Sequence, residues 1–174
     1  VGLTLAGGAT RASAQVGVSA GVLVVPEPSV GSRQVGPLLS GAVARHVAGI
    51  PLYLQASLAR TDFTSLDQDY HDTHWLFVLG GEWFPIEGPT RVGVRLGLGA
   101  HRESQTVEST PPTPGGTNWI EAVVPGVSLE RVIPGGGRLV LGLSDVVLGP
   151  WFAVLDPSEY GVAHLVLVTV GLRF

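Results

Sequence analysis

Apolar residues fall on alternate positions over most of this chain. A period of two marks a strand whose two faces meet different surroundings. The pattern is cleanest at 91–102. There Val92, Val94, Leu96, Leu98 and Ala100 alternate with Gly93, Arg95, Gly97, Gly99 and His101. Comparable stretches run from Val16 to Val24, Leu52 to Ala59, Trp75 to Trp83, Val123 to Glu130, Leu139 to Ser144 and Val162 to Phe174. A weaker one spans 35–47, where Val35, Leu39, Val43 and Val47 share a parity but Arg45 falls on the same face. The register of that strand stays open. Eight strands are predicted.

Opposite the apolar face, the 91–102 stretch offers glycine, arginine and histidine. Such a face is a poor solvated surface, but it suits a narrow lumen in which small side chains leave room for Arg95 to reach an acid. The connections give a second clue. Ala48-Gly49, 86–90 and 134–137 are short and carry turn chemistry. The stretches 26–34, 61–73, 103–118 and 149–161 are longer and more polar, so they are expected as four external loops. Strict alternation of short turns and long loops is the habit of a barrel that crosses an outer membrane. The expected fold is therefore all-β: an eight-stranded, up-and-down antiparallel transmembrane barrel. A soluble, lipocalin-like ligand-binding barrel has the same strand number and is the architectural alternative.

Composition supports this. Mean hydropathy is +0.36 and only 14% of the 174 residues are charged. No uninterrupted apolar run approaches the ~20 residues of a membrane-spanning helix. Glycine (25) and proline (13) work against long helices. With no cysteine, disulfides and thiolate metal sites are excluded. The net charge is −4, all ten basic residues are arginine and they form no basic stripe, so nucleic acid is not an expected partner.

Aromatic residues fit a membrane girdle. Trp75 and Trp83 share a parity eight residues apart. At ~3.3 Å per residue and ~40° tilt they stand about 20 Å apart along the membrane normal, near the ~25 Å apolar band of such barrels. Trp119 is expected in the outer girdle and Phe174 in the inner one.

The last nine residues read VLVTVGLRF. This resembles the C-terminal assembly signal of bacterial outer-membrane proteins, with Val168, Val170, Gly171, Leu172 and Phe174 as the matching positions. In length and strand number the chain resembles the small OmpA/OmpX-like class of Gram-negative bacteria. The resemblance implies recognition by the outer-membrane assembly machinery, contact with membrane lipid and lipopolysaccharide, residence in the outer membrane, and a monomer. At the other end, Ala12-Ser13-Ala14 matches the A-x-A pattern cut by signal peptidase. Residues 1–14 are thus expected to be the remnant of a secretory signal peptide, with 15–174 as the barrel domain.

Gln55, Glu82, Arg95 and Glu130 have lumen parity. They either line a narrow, porin-like pore or pair inside a plugged lumen; an eight-stranded barrel is just wide enough for side chains to fill it, which favours pairing. Asp145 shares the parity of Leu139, Leu141 and Leu143, which aims a charge at lipid unless a bulge turns it or the strand has reached the interface. Glu121 and His164 raise the same question. His71 and His74 lie in a polar stretch whose spacing is weak evidence for a metal, and none is expected. His101 and Ser104 are the residue types of a lipid A-modifying acyl-transfer enzyme, but no triad motif surrounds them. The expectation is a non-enzymatic barrel without a cofactor, acting structurally or through surface interactions of its external loops.

Overall fold

The computed structural model describes residues 14–26, 34–47, 50–65, 68–108, 113–149 and 163–174. The expected signal remnant and much of the first and fourth long connections lie outside the described residues. Eight strands are present: β1 (Gln15–Val25), β2 (Gln34–Val47), β3 (Ile50–Ser65), β4 (Gln68–Ile86), β5 (Thr90–Val107), β6 (Thr113–Val132), β7 (Arg138–Leu148) and β8 (Ala163–Arg173). Each pairs antiparallel with the next, and β8 pairs with β1 to close the barrel. At the closing seam Val16 and Phe174 exchange backbone hydrogen bonds of 3.0 and 2.8 Å.

Alternation sorts the side chains as the physics of a pleated strand requires. Leu39, Leu54, Leu79, Leu98, Val127, Leu141 and Val170 point outward and are exposed, Leu98 by 62%. Leu23, Val78 and Val146 point inward and are almost wholly buried. Left in water, each outward leucine would forgo roughly 1.5–3 kcal/mol of burial energy. A marginally stable domain does not sustain that loss on every strand, so this surface belongs in hydrocarbon. Trp75, Phe77 and Trp119 cluster outward at one level, with ring centroids 6.4 Å apart in each stacked pair. Trp83 lies outward near the other end of β4. Phe174, 68% exposed, lies outward at the inner end of the seam.

β2 keeps a regular register despite its weak pattern, pairing Val22 with Pro37 and Leu39 with Leu58. Arg45 lies on the outer face close to the short β2–β3 connection. Of the expected short turns, 48–49 lies outside the described residues, while β4–β5 and β6–β7 are joined by short turns, the latter with Gly135 and Gly136 at positive φ.

The second and third long connections require correction. Residues 61–65 and 68–73 continue the β3–β4 ladder, with Asp62 opposite His71 and Thr64 opposite Asp69. β5 runs to Val107 and β6 begins at Thr113. These stretches are hairpin extensions rather than loops. They carry polar residues on both faces, Thr61 and Asp72 buried on the inner one and Asp62 and His71 on the outer one, so they lose the apolar–polar alternation that betrays a strand. β4 and β6, of 19 and 20 residues, far exceed the 9–11 or so that span a bilayer.

Candidate functional site

The lumen is filled in layers. Nearest the short turns lies a charged cluster. Glu82 on β4 accepts two hydrogen bonds from Arg173 on β8, at 2.7 and 3.0 Å, and one from Arg95 Nε at 2.6 Å. Glu130 on β6 contacts Arg91 at 2.7 Å and Arg173 at 3.0 Å. The Arg91 guanidinium lies 3.7 Å over the Phe84 ring. Glu82 and Glu130 are 3% and 0% exposed as side chains, so their partners in this place are the arginines rather than water. Of the four lumen residues expected from sequence, Glu82, Arg95 and Glu130 meet. Gln55 stands one layer further out, donating to Ser57 Oγ at 3.0 Å. Arg173 and Arg91 were missed; both have lumen parity, which is the signal that finds them.

Above the charges comes a hydroxyl layer. Ser57 donates to Ser40 Oγ at 2.9 Å. Beyond it an apolar plug fills the outer half of the lumen: Leu23, Leu38, Leu76, Val78, Val124, Val146, Leu165 and Leu167 pack together. The plug is dry packing of the kind found in a soluble core.

Outside the plug runs a polar chain across four adjacent strands. Thr61 donates to Gln34 Oε1 at 2.9 Å, so its oxygen accepts from His74 Nε2 at 3.0 Å. His74 Nδ1 is then the acceptor for His101 Nε2, 3.2 Å away. His74 and His101 are buried and their rings stack with centroids 5.4 Å apart. Further out, burial pushes the Asp72 carboxyl above the usual carboxylate range, and burial followed by the charge of Asp72 does the same to Glu103.

On the projecting hairpins the outward His71 Nδ1 lies 2.7 Å from Asp62 and its Nε2 lies 3.4 Å from Glu108. Hydrogen bonding to His71 and then to Arg60 holds the Asp62 carboxyl below its ordinary range. Phe63 and Tyr70 stack at 4.9 Å beside this cluster.

The other sequence candidates are placed as follows. His71 and His74 turn to opposite sides of the wall, outward and inward. Among the described residues no group of three His, Asp or Glu side chains is arranged to hold a metal. His101 points into the lumen while Ser104 lies on the opposite face, where its hydroxyl approaches that of Thr117 at 3.4 Å. They form no Ser–His pair. Asp145 keeps its outward parity without a bulge and lies 3.0 Å from His164 Nδ1, both partly exposed. Arg102, directly opposite Trp75 and Trp119, stands 5.7 Å over the Trp119 ring. The residues matching the assembly signal lie in the second half of β8 and at Phe174 just after it, with Val168, Val170 and Leu172 outward and Gly171 against β1.

A closed, eight-stranded antiparallel barrel with an apolar outer belt and a filled lumen is the fold of the small outer-membrane barrels. Among solved structures, the chain is similar to Neisserial surface protein A, with a TM-score of 0.56, 12% identity, and 92% of this chain and 95% of that one covered. It is also similar to Ail, the attachment invasion locus protein of Yersinia pestis (TM-score 0.54, 12% identity, 92% and 97% covered). A major outer membrane protein from Thermus thermophilus is a third neighbour (TM-score 0.51, 12% identity, 93% and 99% covered). No family profile matches the sequence, and no curated protein matches it.

Proposed function

We propose that this chain is an integral protein of the bacterial outer membrane, exported and inserted as a monomer, whose role is structural or in surface interaction rather than transport or catalysis. The observation that carries the reading is the continuous outward apolar belt between the levels of Trp75 and Trp83, set around a lumen stopped by side chains. Lipid and lipopolysaccharide are the partners of the belt. The assembly machinery is the partner of β8 and of Phe174 just after it, where Val168, Val170, Leu172 and Phe174 carry the alternation of the assembly signal. Interaction with other molecules falls to the outer end, where the β3–β4 and β5–β6 hairpins project.

A lipid A-modifying activity is disfavoured by the separation of His101 from Ser104. Heat-modifiability tests the membrane reading. Residues 15–174, refolded into detergent micelles, are expected to migrate differently on a denaturing gel before and after boiling, and only when detergent was present during folding. A chain that folds in plain buffer, with no effect of detergent, rules the membrane assignment out.

A further inference from the structure

The charged cluster of the lumen is unbalanced. Three guanidinium groups (Arg91, Arg95 and Arg173) face two carboxylates, Glu82 and Glu130. The surplus falls on Arg91 and Arg95. Arg173 spends its nitrogens on both carboxylates; Arg91 is held by Glu130 through Nε at 2.8 Å and lies over the Phe84 face, with its buried Nη2 making no hydrogen bond among the described residues. Arg95 makes one short bond, through Nε, and its terminal nitrogen approaches Glu130 only to 4.0 Å. The remaining N–H groups of Arg95 are therefore uncommitted among the described residues, although the side chain is 15% exposed.

The Arg95 guanidinium stands 5.6 Å over the ring of buried Tyr53, and beside that ring it borders open space. It lines a cavity in the inner half of the lumen that reaches the short-turn end at Gln15 and Ala44. The cavity encloses about 50 Å³. A single buried water needs roughly 10–15 Å³ by the same measure, so the space holds several waters or one group of comparable size. Across it from the arginines stand hydroxyls: Ser19, Ser40, Ser144 and Thr169. The direction of the Ser57 bond decides what Ser40 offers. Ser57 donates to Ser40, so the Ser40 proton is free to donate into the cavity.

We propose that this cavity is a binding site for a small oxyanion, a carboxylate or phosphate group, entering from the short-turn end. Arg95 is its principal ligand and Ser40 the opposing donor. A guanidinium fork matches the paired oxygens of such a group, and the anion neutralises the surplus charge. The apolar plug closes the site on the other side, so the anion is held rather than passed through. The assignment concerns the lumen and stands apart from the surface role proposed above.

The test is a titration of the folded full barrel in zwitterionic micelles. Inorganic phosphate and, separately, acetate are added at constant ionic strength against chloride, and backbone amide shifts are followed by NMR. Heat-modifiability confirms folding of each sample beforehand, so a failure to bind is distinct from a failure of the barrel. The expected result is a saturable response at residues such as Gly17 and Ser40, and none near Leu98. Arg95→Gln, in which Arg173 still holds Glu82, is expected to abolish saturation. Ser40→Ala is expected to weaken binding about fivefold, the equivalent of one neutral hydrogen bond. Shifts that fail to saturate, or that chloride reproduces, overturn the proposal. Where Arg95→Gln does not fold, Ser40→Ala decides, and unchanged affinity there overturns it.

Discussion

Arg173 on the last strand grips Glu82 on the fourth through two hydrogen bonds of 2.7 and 3.0 Å, spanning the lumen between residues 91 apart in sequence. The pair ties together walls that no ladder connects. Both side chains are under 10% exposed. Removing one partner of such a pair leaves its mate charged and buried, at a cost of about 3–5 kcal/mol. Glu82→Ala is therefore expected to lower the urea midpoint of the refolded barrel sharply, because it strands Arg95 as well as Arg173. Arg173→Ala is expected to cost less, since Arg95 and Arg91 remain to hold the carboxylates. Equilibrium unfolding of both variants and the double variant gives the coupling energy. A double variant whose loss equals the sum of the single losses contradicts the contact.

The closing seam depends on close backbone approach. A Cβ built on Gly21 would stand 1.9 Å from the Val168 carbonyl oxygen, whereas one on Gly41 meets nothing within 4 Å. Gly21→Ala must displace β8 and is expected to cost about 1–3 kcal/mol, the usual range for overpacking. Gly41→Ala is expected to be neutral. Melting on unboiled gels, read as the temperature at which the folded band disappears, separates the two. Equal melting temperatures would contradict the tight seam.

Much of this architecture is legible in the alternation itself. Eight strands and the outward face of each follow from period two, because lipid and lumen impose opposite demands on neighbouring residues. Even β2, where Arg45 disturbs the pattern, keeps the parity of Val35, Leu39, Val43 and Val47. Two features resist such reading. The outer half of the lumen is apolar, so 75–79 reads as an unbroken run (Trp75 to Leu79) and the plug is invisible as a separate feature. The hairpin tips are polar on both faces, so residues 61–73 look like a loop. Partnerships across the lumen are harder still. His74 and His101 are 27 residues apart, and nothing local in either segment announces the other. Arg173 sits as a polar spacer inside the assembly motif, with no sign there of its carboxylate.

Two carboxylates on the projecting hairpin have opposite pH signatures. His71 and Arg60 depress the Asp62 pKa below 3.8. Its contribution to stability is thus full above the unfolded carboxylate value of about 4 and is lost as pH falls through the depressed folded value. Burial raises the Asp72 pKa above 3.8. The folded state then favours protonated Asp72, and that advantage, present below the unfolded value, disappears as pH rises through the raised folded value. Amide protection along the β3–β4 extension, with exchange rates corrected for their intrinsic pH dependence, is expected to fall on acidification below about pH 4 in the wild type but to change less in His71→Ala. Asp72→Asn is expected to slow exchange at neutral pH, since it removes a charge that burial disfavours. Faster exchange in Asp72→Asn would contradict this account.

The plug makes a statement about transport. Leu23, Val78 and Val146 are at most 1% exposed, and the His74–His101 pair covers them on the outer side. Ions crossing that dry layer would lose their hydration without replacement. Planar-bilayer recordings of the purified barrel are expected to show no steps above baseline. Reproducible steps in the wild type would mean that the plug moves, and the lumen residues would then need to be re-examined as a conduction path.

Depth along β4 provides the sharpest test of the membrane belt. Leu79 and Ile86 are almost equally exposed, at 59% and 58%, Ile86 following a register shift after Trp83 at the end of β4. Leu79 lies midway between Trp75 and Trp83, whereas Ile86 lies beyond Trp83 toward the short turn. In water, arginine at either place would be tolerated alike. In a bilayer, arginine at the midplane costs about 2–4 kcal/mol and near the interface about 0–1 kcal/mol. Leu79→Arg is therefore expected to destabilise the barrel in lipid vesicles far more than Ile86→Arg. Strand and exposure are matched between the two sites, so depth is the main difference that the comparison reads. Equal effects of the two substitutions would remove the belt, and with it the argument that lipid is the solvent of this surface.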